Sequence, residues 1–479
     1  MSRFCVVACL LVGAWSAGQA APVQFDDELV QELDDLVSAT VPWTGETPAY
    51  SIVVDQGGKI VYERHIGFAD IGNRVTASRD TVFKIGSITK SYTALAILQL
   101  VEQGKVDLDA KISSYLPDLE QPSAEVTIRQ LLSHTSGIPT YTDQSETRPL
   151  LEWTEPTRSD VLDMFQTKDL EFVPGTRYSY SNSGYYLLGL VIESVSGQDY
   201  FEFLKPNVLV PLDLAETYSG AYGEVVPNQA RGYVVGPDGI QHAPPTHQLA
   251  TFSAGVLEAS AADVAKYRHG IFNSPEISQQ LRDLVTITDK FDSGIDHHYS
   301  LGALMISDFH GHRRFEHNGG LSGFVSEHVY FPDHNLTIVV LVNANGAPVS
   351  PEHLVAKLSR RVLGIPEPQA TVVDISPRTL ESYTGLYQMD PFWLAGEFMR
   401  VDLQDDSLAL QLYPGSDRQA EIRLLPRGEA EFALAIDESI RIRFAVAKGE
   451  VRGLEVTTSS GVSPARRLNE PPQEGQASE

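Results

Sequence analysis

Residues 83–103 read F-K-I-G-S-I-T-K-S-Y-T-A-L-A-I-L-Q-L-V-E-Q, and the rest of the chain is organised around this stretch. Leucine and isoleucine predominate from Leu95 to Leu100, after a short polar opening. No proline or glycine interrupts this apolar run before Gly104. The pattern predicts a buried helix that ends at a C-terminal glycine.

Ser87 and Lys90 lie in the first turn of that predicted helix. Because residues three apart share one face of a helix, the Lys90 amine can reach the Ser87 hydroxyl. A helix N-terminus also presents unpaired N–H groups and a partial positive charge, which stabilise an alkoxide or an oxyanion. Ser87 is therefore a candidate nucleophile with a basic partner. The alternative for this short tetrad alone is a capping serine beside a solvated lysine.

The composition is that of a globular protein with an unusual charge. The chain of 479 residues is long enough for two domains or more and for a sizeable core. Its hydrophobic content of 42% and charged content of 21% are ordinary. The formal net charge of −27 argues against binding to nucleic acids or anionic membranes, which attract lysine and arginine. We therefore expect an acidic, solvated surface and no nucleic-acid partner.

The N-terminus has the pattern of a secretory signal peptide. Arg3 precedes an apolar run over residues 4–15, and small residues follow up to Ala21. We expect a signal peptide at residues 1–20 and a secreted or periplasmic protein. Because Cys5 and Cys9 both lie in this segment, the mature chain would have no disulfide, thiol catalyst or cysteine-ligated metal. No other segment approaches the ~20 apolar residues of a transmembrane helix.

Helical and strand patterns alternate over most of the chain and predict an α+β fold. Helical patterns occupy 22–40, 83–103, 127–132, 156–200 with a break at 172–176, 261–272 and 352–362. Strand patterns occupy 51–54, 60–62, 300–307, 313–317, 324–331 and 336–342. Residues 221–250, with several glycines and prolines, are expected to form a long loop. One sheet would thus combine strands from distant parts of the chain.

A second domain is predicted after residue 365. The first domain would span 22–365, and residues 366–373 would form a linker. Short alternating strands separated by turn residues then predict a small antiparallel sandwich or barrel over 374–468. The polar residues 469–479 are expected to be a disordered tail.

Two further segments contain candidate site residues. Tyr180 and Asn182 precede an apolar helix and are two residues apart, so they can project to the same side of an extended segment. Tyr180 is a candidate general base, and Asn182 is a candidate ligand for a substrate carbonyl and for the lysine. The alternative is an aromatic turn in which Asn182 caps the helix. Downstream, His317 offers a tunable donor, and Gly319 and Gly320 permit close backbone approach at a strand end.

Together the three segments resemble the penicillin-recognising serine hydrolases. S-I-T-K, Y-S-N and H-N-G occur in the order found in that family. The segments T-V-F-K-I-G-S-I-T-K, L-L-S-H-T-S-G-I-P and F-V-P-G-T-R-Y-S-Y-S-N add to the resemblance, which covers roughly residues 25 to 365. The Y-x-N and H-x-G versions are closest to the branch of class C β-lactamases, D-alanyl-D-alanine carboxypeptidases, D-aminopeptidases and esterases.

The resemblance implies a fold and a set of roles. We expect a β-lactamase-like antiparallel sheet flanked by helices, with a helical subdomain and a lipocalin-like C-terminal β-domain. Ser87 would be acylated, and Lys90 and Tyr180 would share the proton transfers. Asn182, His317 and Gly319 would bind substrate, and the oxyanion hole would use the N–H groups of Ser87 and Gly320. No cofactor or metal is expected, and the substrate would be a small molecule or short peptide.

His317 departs from the family pattern, because β-lactamases mostly have lysine there. A partly neutral histidine favours a substrate carboxylate less than a permanent cation does. This favours a D-amino-acid peptidase or an esterase over an efficient β-lactamase. No Glu-x-x-Leu-Asn segment is present, so hydrolysis of the acyl-enzyme would reuse Tyr180 and Lys90.

Two other interpretations are weighed against this one. A non-catalytic penicillin-binding or sensor protein would keep the same cleft, but it need not retain Ser87, Lys90, Tyr180 and Asn182 together. The histidine pairs His297-His298 and His310-Gly311-His312 raise the possibility of zinc, but their spacing defines no ligand geometry. We therefore expect these pairs to be surface-loop residues and predict no metal site.

Overall fold

The structure is a computed structural model. It describes residues 22–43, 45–143, 154–221, 224–236, 239–291, 296–366, 373, 375–389, 398–404, 406–413, 422–434, 440–447, 449–458 and 461–468. The predicted signal peptide (1–20), most of the predicted linker (366–373) and the predicted tail (469–479) lie outside these described residues.

An eight-stranded antiparallel sheet forms the centre of the N-terminal part of the chain. Its strands are β1 (Tyr50–Gln56), β2 (Lys59–Ile66), β3 (Thr288–Lys290), β4 (Asp296–Ser300), β5 (Met305–Phe309), β6 (His312–Leu321), β7 (Phe324–Phe331) and β8 (Leu336–Val342). Their order is β3-β4-β5-β6-β7-β8-β1-β2, so β8 lies beside β1 with Tyr50 opposite Val342. The sheet therefore joins the start of the domain to its end, as predicted.

The sheet separates two hydrophobic cores because its central strands are apolar on both faces. In β8, Val339 and Leu341 contribute to the inner core, whereas Ile338 and Val340 contribute to the outer core. This alternation follows from the two-residue period of a strand. The helices α1 (Asp27–Thr40), α2 (Thr89–Glu102), α3 (Asn182–Ser196), α4 (Gln248–Gly255), α5 (Ala261–Asn273) and α6 (Pro351–Val362) pack around it. Helices α1 and α6 cover the outer core, and α2, α3 and α4 belong to the inner one.

Helix α2 lies inside the inner core, as its sequence predicts. Most of its side chains are buried, including polar Thr89 and Thr93 as well as Leu95. The helix begins later than expected, because Phe83–Lys84 is a short strand and Gly86–Ile88 is a 3₁₀ turn. Ser87 therefore lies in that turn and not in the α-helix itself.

The shorter elements belong to the helical subdomain, to the rim of the sheet and, for Pro377–Tyr383, to the C-terminal barrel. Among the described residues, the remaining α-helices are Ile128–Leu132, Arg158–Asp163, Tyr200–Leu204, Gln279–Thr286 and Pro377–Tyr383. The remaining short strands are Phe68–Asp70, Val75–Thr76, Thr217–Tyr218, Tyr233–Gly236, Gly239–His242, Glu258–Ala259 and Ala344–Asn345. No helix in the described ranges is long and apolar enough to cross a membrane.

Two local predictions are wrong, and tertiary contacts explain both. The expected loop at 221–250 contains the hairpin Tyr233–Gly236/Gly239–His242, whose first strand pairs with Ala344–Asn345. The expected strand at 300–307 is divided between β4 and β5 by a buried turn. In that turn Gly302 packs so closely that a Cβ atom would lie 2.6 Å from the Val285 carbonyl oxygen.

The C-terminal strands form a closed barrel with its own core. Its strands are β9 (Gly385–Met389), β10 (Phe398–Gln404), β11 (Ser407–Tyr413), β12 (Ile422–Pro426), β13 (Glu431–Leu434), β14 (Arg441–Ala447), β15 (Glu450–Thr458) and β16 (Gly461–Leu468). Strand β9 pairs with β16, with Leu386 opposite Leu468. Tyr383, in the helix before β9, stacks on Phe444 with ring centroids 4.3 Å apart. Of the two predicted architectures, the barrel is confirmed and the sandwich is wrong.

Candidate active site

Ser87 occupies a tight turn at the mouth of a cavity of about 340 Å³. Gly86 adopts a φ of +53°, a left-handed conformation that glycine accepts most readily. The turn is anchored by a hydrogen bond from the Ile85 N–H to the Leu257 carbonyl. Asn182 and Gly320 line the same cavity, so three of the predicted site residues face one space.

Lys90 lies behind Ser87 and is completely buried. Its Nζ atom is 3.1 Å from Ser87 Oγ, 2.7 Å from Asn182 Oδ1 and 2.7 Å from the Ala254 carbonyl oxygen. It also lies 4.8 Å from the centroid of the Tyr180 ring. Burial lowers the pKa of the Lys90 amine well below its ordinary value, because a buried charge loses its hydration. The structure thus brings Lys90, Ser87, Asn182 and the Tyr180 ring together.

The partners of Lys90 differ in what they can do. The Ala254 carbonyl and Asn182 Oδ1 can only accept hydrogen bonds, whereas the Ser87 hydroxyl can accept or donate. A neutral Lys90 amine would use its two protons on the two obligate acceptors. Its lone pair would then be available to accept the Ser87 proton. The geometry therefore fits both an ammonium that donates to Ser87 and an amine that removes its proton.

Tyr180 and Asn182 are presented by the segment that leads into α3. Ser181, and not Asn182, caps this helix, since its Oγ atom accepts from the Gly184 N–H. Asn182 is held instead by two threonines: its N–H donates to Thr140 Oγ1 at 3.0 Å, and its Nδ2 donates to Thr142 Oγ1 at 2.8 Å. These bonds orient Asn182 Oδ1 toward the lysine.

His317 lies within β6 and not at a strand end as predicted, and it is buried. Its Nδ1–H donates to the Asn318 carbonyl at 2.6 Å, since a carbonyl can only accept. In the neutral ring Nε2 then accepts from the Tyr299 hydroxyl at 3.0 Å. Burial, with the nearby charges of Lys90 and Arg268, lowers the pKa of His317 to about 3. The ring is therefore neutral at pH 7, more completely than its sequence context suggested.

Behind His317 lies a buried arginine. Arg268 of α5 is inaccessible to solvent, and its Nη2 contacts His328 Nε2 at 2.5 Å. His328 Nδ1 donates in turn to the His317 carbonyl at 2.8 Å. Burial and the charge of Arg268 lower the pKa of His328 well below its usual value. The contacts from Arg268 through His328 thus hold the His317 backbone. The positive charge of Arg268 also disfavours protonation of the His317 ring.

Lowering the pH should destabilise the protein through His317. The pKa of an imidazole is about 6.5 in the unfolded chain and about 3 for His317 in the folded protein. Between these two pH values, only the unfolded chain binds a proton at His317. Stability therefore falls as pH decreases, by up to about 1.4 kcal/mol per pH unit for one such group. Urea unfolding at pH 7, 6 and 5 measures the slope. His317→Gln should reduce the slope and exposed His242→Gln should not; equal slopes in all three proteins would contradict this prediction.

Glycines allow β6 to approach the serine turn. A Cβ atom on Gly319 would lie 2.1 Å from the Ile85 carbonyl oxygen and 2.4 Å from Ser326 Oγ. A Cβ atom on Gly86 would lie 2.8 Å from the Gly320 nitrogen. The predicted oxyanion donors, the N–H groups of Ser87 and Gly320, are therefore neighbours because no side chain separates these two segments. Gly319 has this packing role and does not line the described part of the cavity.

Two adjacent glycines provide a matched test of that packing. Gly319→Ala should lower the unfolding free energy by about 1–3 kcal/mol and separate β6 from the Ser87 turn. At Gly320 a Cβ atom meets nothing within 4 Å, so Gly320→Ala should change the unfolding free energy by about 0.5 kcal/mol or less. Urea unfolding of both variants measures the difference. Equal stability of the two variants would contradict the close approach.

Sequence reasoning missed two contributors to the site. The Ala254 carbonyl comes from α4, which begins near the end of the expected loop at 221–250 and was not predicted as a helix. There Phe252, with φ 36° and ψ −137°, interrupts the helix. A backbone carbonyl leaves no signature in side-chain patterns, so no motif identified it. The second is Tyr299, whose hydroxyl contacts His317. Tyr299 lies on β4 and His317 on β6, and their proximity depends on the order of strands in the sheet.

The histidine pairs do not form a recognisable metal centre. His312 contacts His334, with Nδ1 and Nε2 2.9 Å apart, and His310 contacts Arg360. Across the described part of the chain, no group of three histidine, cysteine, aspartate or glutamate side chains is arranged to hold an ion. His297 is buried, contrary to the expected surface loop.

Comparison with known proteins assigns the class. The family model described as Beta-lactamase matches residues 27–359, so the chain belongs to this family, whose members are serine hydrolases. It is 26% identical over 420 residues to penicillin-binding protein 4* of Bacillus subtilis, covering 81% of this chain and 90% of that protein. The predicted family resemblance and enzyme class are thereby confirmed.

Solved structures support the fold. The octameric penicillin-binding protein homologue from Pyrococcus abyssi has a TM-score of 0.61 and 23% identity, covering 91% of this chain and 99% of that chain. The D-amino acid amidase from Ochrobactrum anthropi SV3 has a TM-score of 0.58 and 22% identity, covering 71% of this chain and 98% of that chain. The predicted β-lactamase-like fold is thus confirmed.

Proposed function

We propose that this protein is an exported serine hydrolase that forms an acyl-enzyme on Ser87 and hydrolyses small amides, D-amino-acid peptides or esters. The observation that carries the proposal is the buried Lys90 amine, 3.1 Å from Ser87 Oγ at the wall of an open cavity. A serine hydroxyl is a weak nucleophile until a neighbouring base accepts its proton. Lys90 meets that requirement because burial favours its neutral form.

The reaction uses the groups that surround the cavity. Ser87 Oγ attacks the substrate carbonyl carbon while its proton passes to the Lys90 and Tyr180 pair. The N–H groups of Ser87 and Gly320 stabilise the oxyanion. The intermediate collapses, the leaving group receives the proton, and an ester forms on Ser87. Water then releases the acid, with the same pair removing the proton from water and returning it to Ser87. Because the Lys90 amine lies 4.8 Å from the centroid of the Tyr180 ring, we assign the proton transfers to the pair.

The charges around the cavity favour a neutral substrate. The described lining contains no charged side chain, and His317, which does not line the described part of the cavity, is uncharged at neutral pH, so neither provides a fixed cation for a carboxylate. The described lining residues comprise hydroxyl, amide, aromatic and aliphatic groups: Ser87, Tyr141, Thr142, Asn182, Thr246, Ala250, Thr251, Ala254, Gly255, Gly320, Leu321 and Ser322. We therefore favour esters and neutral amides over substrates that end in a free carboxylate, such as penicillins and D-alanyl-D-alanine peptides.

Export is supported by the N-terminal sequence alone. Arg3, the apolar run and the small residues before Ala21 fit a cleaved signal peptide, and we propose a secreted or periplasmic location. Intact-mass analysis of the protein recovered outside the cytoplasm should give a chain that begins at Ala21. Recovery of only the full-length chain inside the cell would refute this part of the proposal.

A hydrolysis panel tests the substrate class. It should contain short nitrophenyl esters, D-aminoacyl amides, a cephalosporin and a D-alanyl-D-alanine peptide. We expect kcat/KM for the best ester or amide to exceed that for the carboxylate-bearing substrates by about 10-fold or more, which corresponds to ~1.4 kcal/mol. The reverse order would overturn the preference, and no turnover of any class would count against the proposed hydrolase.

A further inference from the structure

His134 is the buried residue whose contacts the proposed chemistry does not yet explain. It follows the short helix Ile128–Leu132 and adopts a φ of +57°, which is uncommon for a side-chain-bearing residue. Only 1% of its surface is accessible to solvent. His134 belongs to the segment L-L-S-H-T-S-G-I-P of the family resemblance, and the sequence favours a structural role for it over a catalytic one.

His134 holds the backbone on both sides of Tyr180. The Ser179 N–H donates to the His134 carbonyl at 2.9 Å, and the Ser181 N–H donates to His134 Nδ1 at 3.0 Å. The imidazole also lies against the Tyr180 ring, with centroids 4.3 Å apart and planes 36° apart. One residue thus contacts Tyr180 itself and both of its neighbours.

These contacts define the protonation state of the imidazole. Because Nδ1 accepts a hydrogen bond, the proton of the neutral ring is on Nε2. Burial, with Lys90 nearby, lowers the pKa of His134 well below its ordinary value, so the neutral form persists at pH 7. Among the residues that the structure describes, Nε2 has no hydrogen-bond partner. Its surroundings are aromatic: the rings of Tyr178, Tyr185 and Tyr299 have centroids within 5.8 Å.

A purely space-filling role does not account for this arrangement. An apolar side chain could fill the volume, but it would leave the Ser181 N–H without its acceptor. An unpaired buried N–H costs about 1–3 kcal/mol. Ser181 also caps α3, and Asn182 follows it, so a shift of Ser181 would move both Tyr180 and Asn182 relative to Lys90.

We infer that His134 is a positioning residue that holds Tyr180 against Lys90 and so supports proton transfer at Ser87. The inference rests on the proposed function, because it assigns a task to the Lys90 and Tyr180 pair. His134 acts through Tyr180 and Ser181 and does not line the described part of the cavity. Its loss should therefore affect the chemical step more than substrate binding.

Two substitutions that tolerate a positive φ separate the contacts. His134→Asn keeps a side-chain acceptor for the Ser181 N–H, and His134→Gly removes both acceptor and ring. Burst kinetics with a nitrophenyl ester give acylation and turnover, and urea unfolding gives stability. Tyr50→Phe is the control, since it removes a buried hydrogen bond to the Val349 carbonyl in the outer core.

We expect His134→Gly to lower the acylation rate about 100-fold, with KM changed about threefold or less, and to shift the pH–rate profile. Added imidazole should restore part of the rate. His134→Asn should stay within roughly tenfold of the parent, and Tyr50→Phe should keep both rate and profile despite lower stability. If the glycine variant does not fold, the His134→Asn variant provides the test. A loss of acylation rate of tenfold or less with a shifted pH–rate profile supports the inference. An unchanged pH–rate profile overturns it.

Other outcomes separate this inference from the proposed function. Acylation by folded His134→Gly within threefold of the parent would overturn the positioning role while leaving the hydrolase assignment intact. A rate loss in the His134 variants that merely follows their unfolded fraction would also overturn it. If the parent protein itself forms no adduct on Ser87, the proposed function fails, and the positioning role fails with it.

Discussion

Replacing Ser87 with alanine should abolish covalent labelling by a fluorophosphonate and reduce hydrolysis by roughly 10⁴–10⁶-fold, because the Ser87 hydroxyl is the group that the Lys90 amine contacts at the cavity. The fold should persist, since the Ser87 side chain lies at the cavity and only one hydroxyl is lost. Ser91→Ala is a matched control from the next turn, where the Ser91 hydroxyl donates to the Ile88 carbonyl away from Lys90. Intact-mass spectrometry and steady-state kinetics measure both effects.

The lifetime of the adduct adds information. An adduct that forms and then disappears indicates turnover, whereas one that persists on Ser87 indicates a penicillin-binding sensor that keeps the cleft. Undiminished hydrolysis by the Ser87→Ala protein would refute the assignment of the nucleophile. An equal loss in Ser91→Ala would point to disruption of the turn and not to loss of a reacting group.

Replacing Lys90 with arginine should lower the acylation rate by about 100- to 10,000-fold, because a permanent cation replaces an amine that can lose its proton. Arginine stays protonated in proteins and cannot accept the Ser87 proton. Lys90→Met should lose as much activity and also stability, since the Ala254 carbonyl and Asn182 Oδ1 would lose their donor at about 1–3 kcal/mol per unpaired group. Lys84→Arg, on the short strand before the turn, is the control.

The pH dependence of acylation gives a second test of Lys90. Burial lowers the amine pKa, so the reactive neutral form accumulates at a lower pH than for an exposed lysine. The parent rate should therefore rise with pH and level off below the ordinary lysine value of about 10.4. In Lys90→Arg this rise should disappear. A parent-like profile in the arginine variant would assign the titration to another group, with Tyr180 as the first candidate.

The sequence predicted the parts of the site that depend on local geometry or on recognisable motifs. Ser87 and Lys90 are three residues apart, so helical geometry alone placed their side chains within reach. Local patterns made Tyr180, Asn182 and His317 candidates, but only the family resemblance joined them to Ser87, because their separation in sequence gives no indication of their proximity. The Ala254 carbonyl could not be predicted, since any residue type supplies the same backbone atom.

For the fold, too, the elements that depend on local sequence were predicted, and those that depend on distant partners were not. Strands β7 and β8 were predicted at their observed limits, because their apolar runs are long and bounded by turn residues. The hairpin Tyr233–Gly236/Gly239–His242 was missed because it is stabilised by a distant partner, Ala344–Asn345. The alternation of the C-terminal strands suited a sandwich or a barrel equally well. Only the pairing of β9 with β16 distinguishes the two architectures.

The pairing of β9 with β16 also disfavours aggregation of the protein through exposed strand edges. Strand β16 pairs with both β9 and β15, so neither of these strands offers an open edge to another molecule. A chain cut before Gly461 would expose two such edges at once, and each would be a template for strand addition. Strand β16 thus closes the barrel and also removes two edges through which copies of the protein could aggregate.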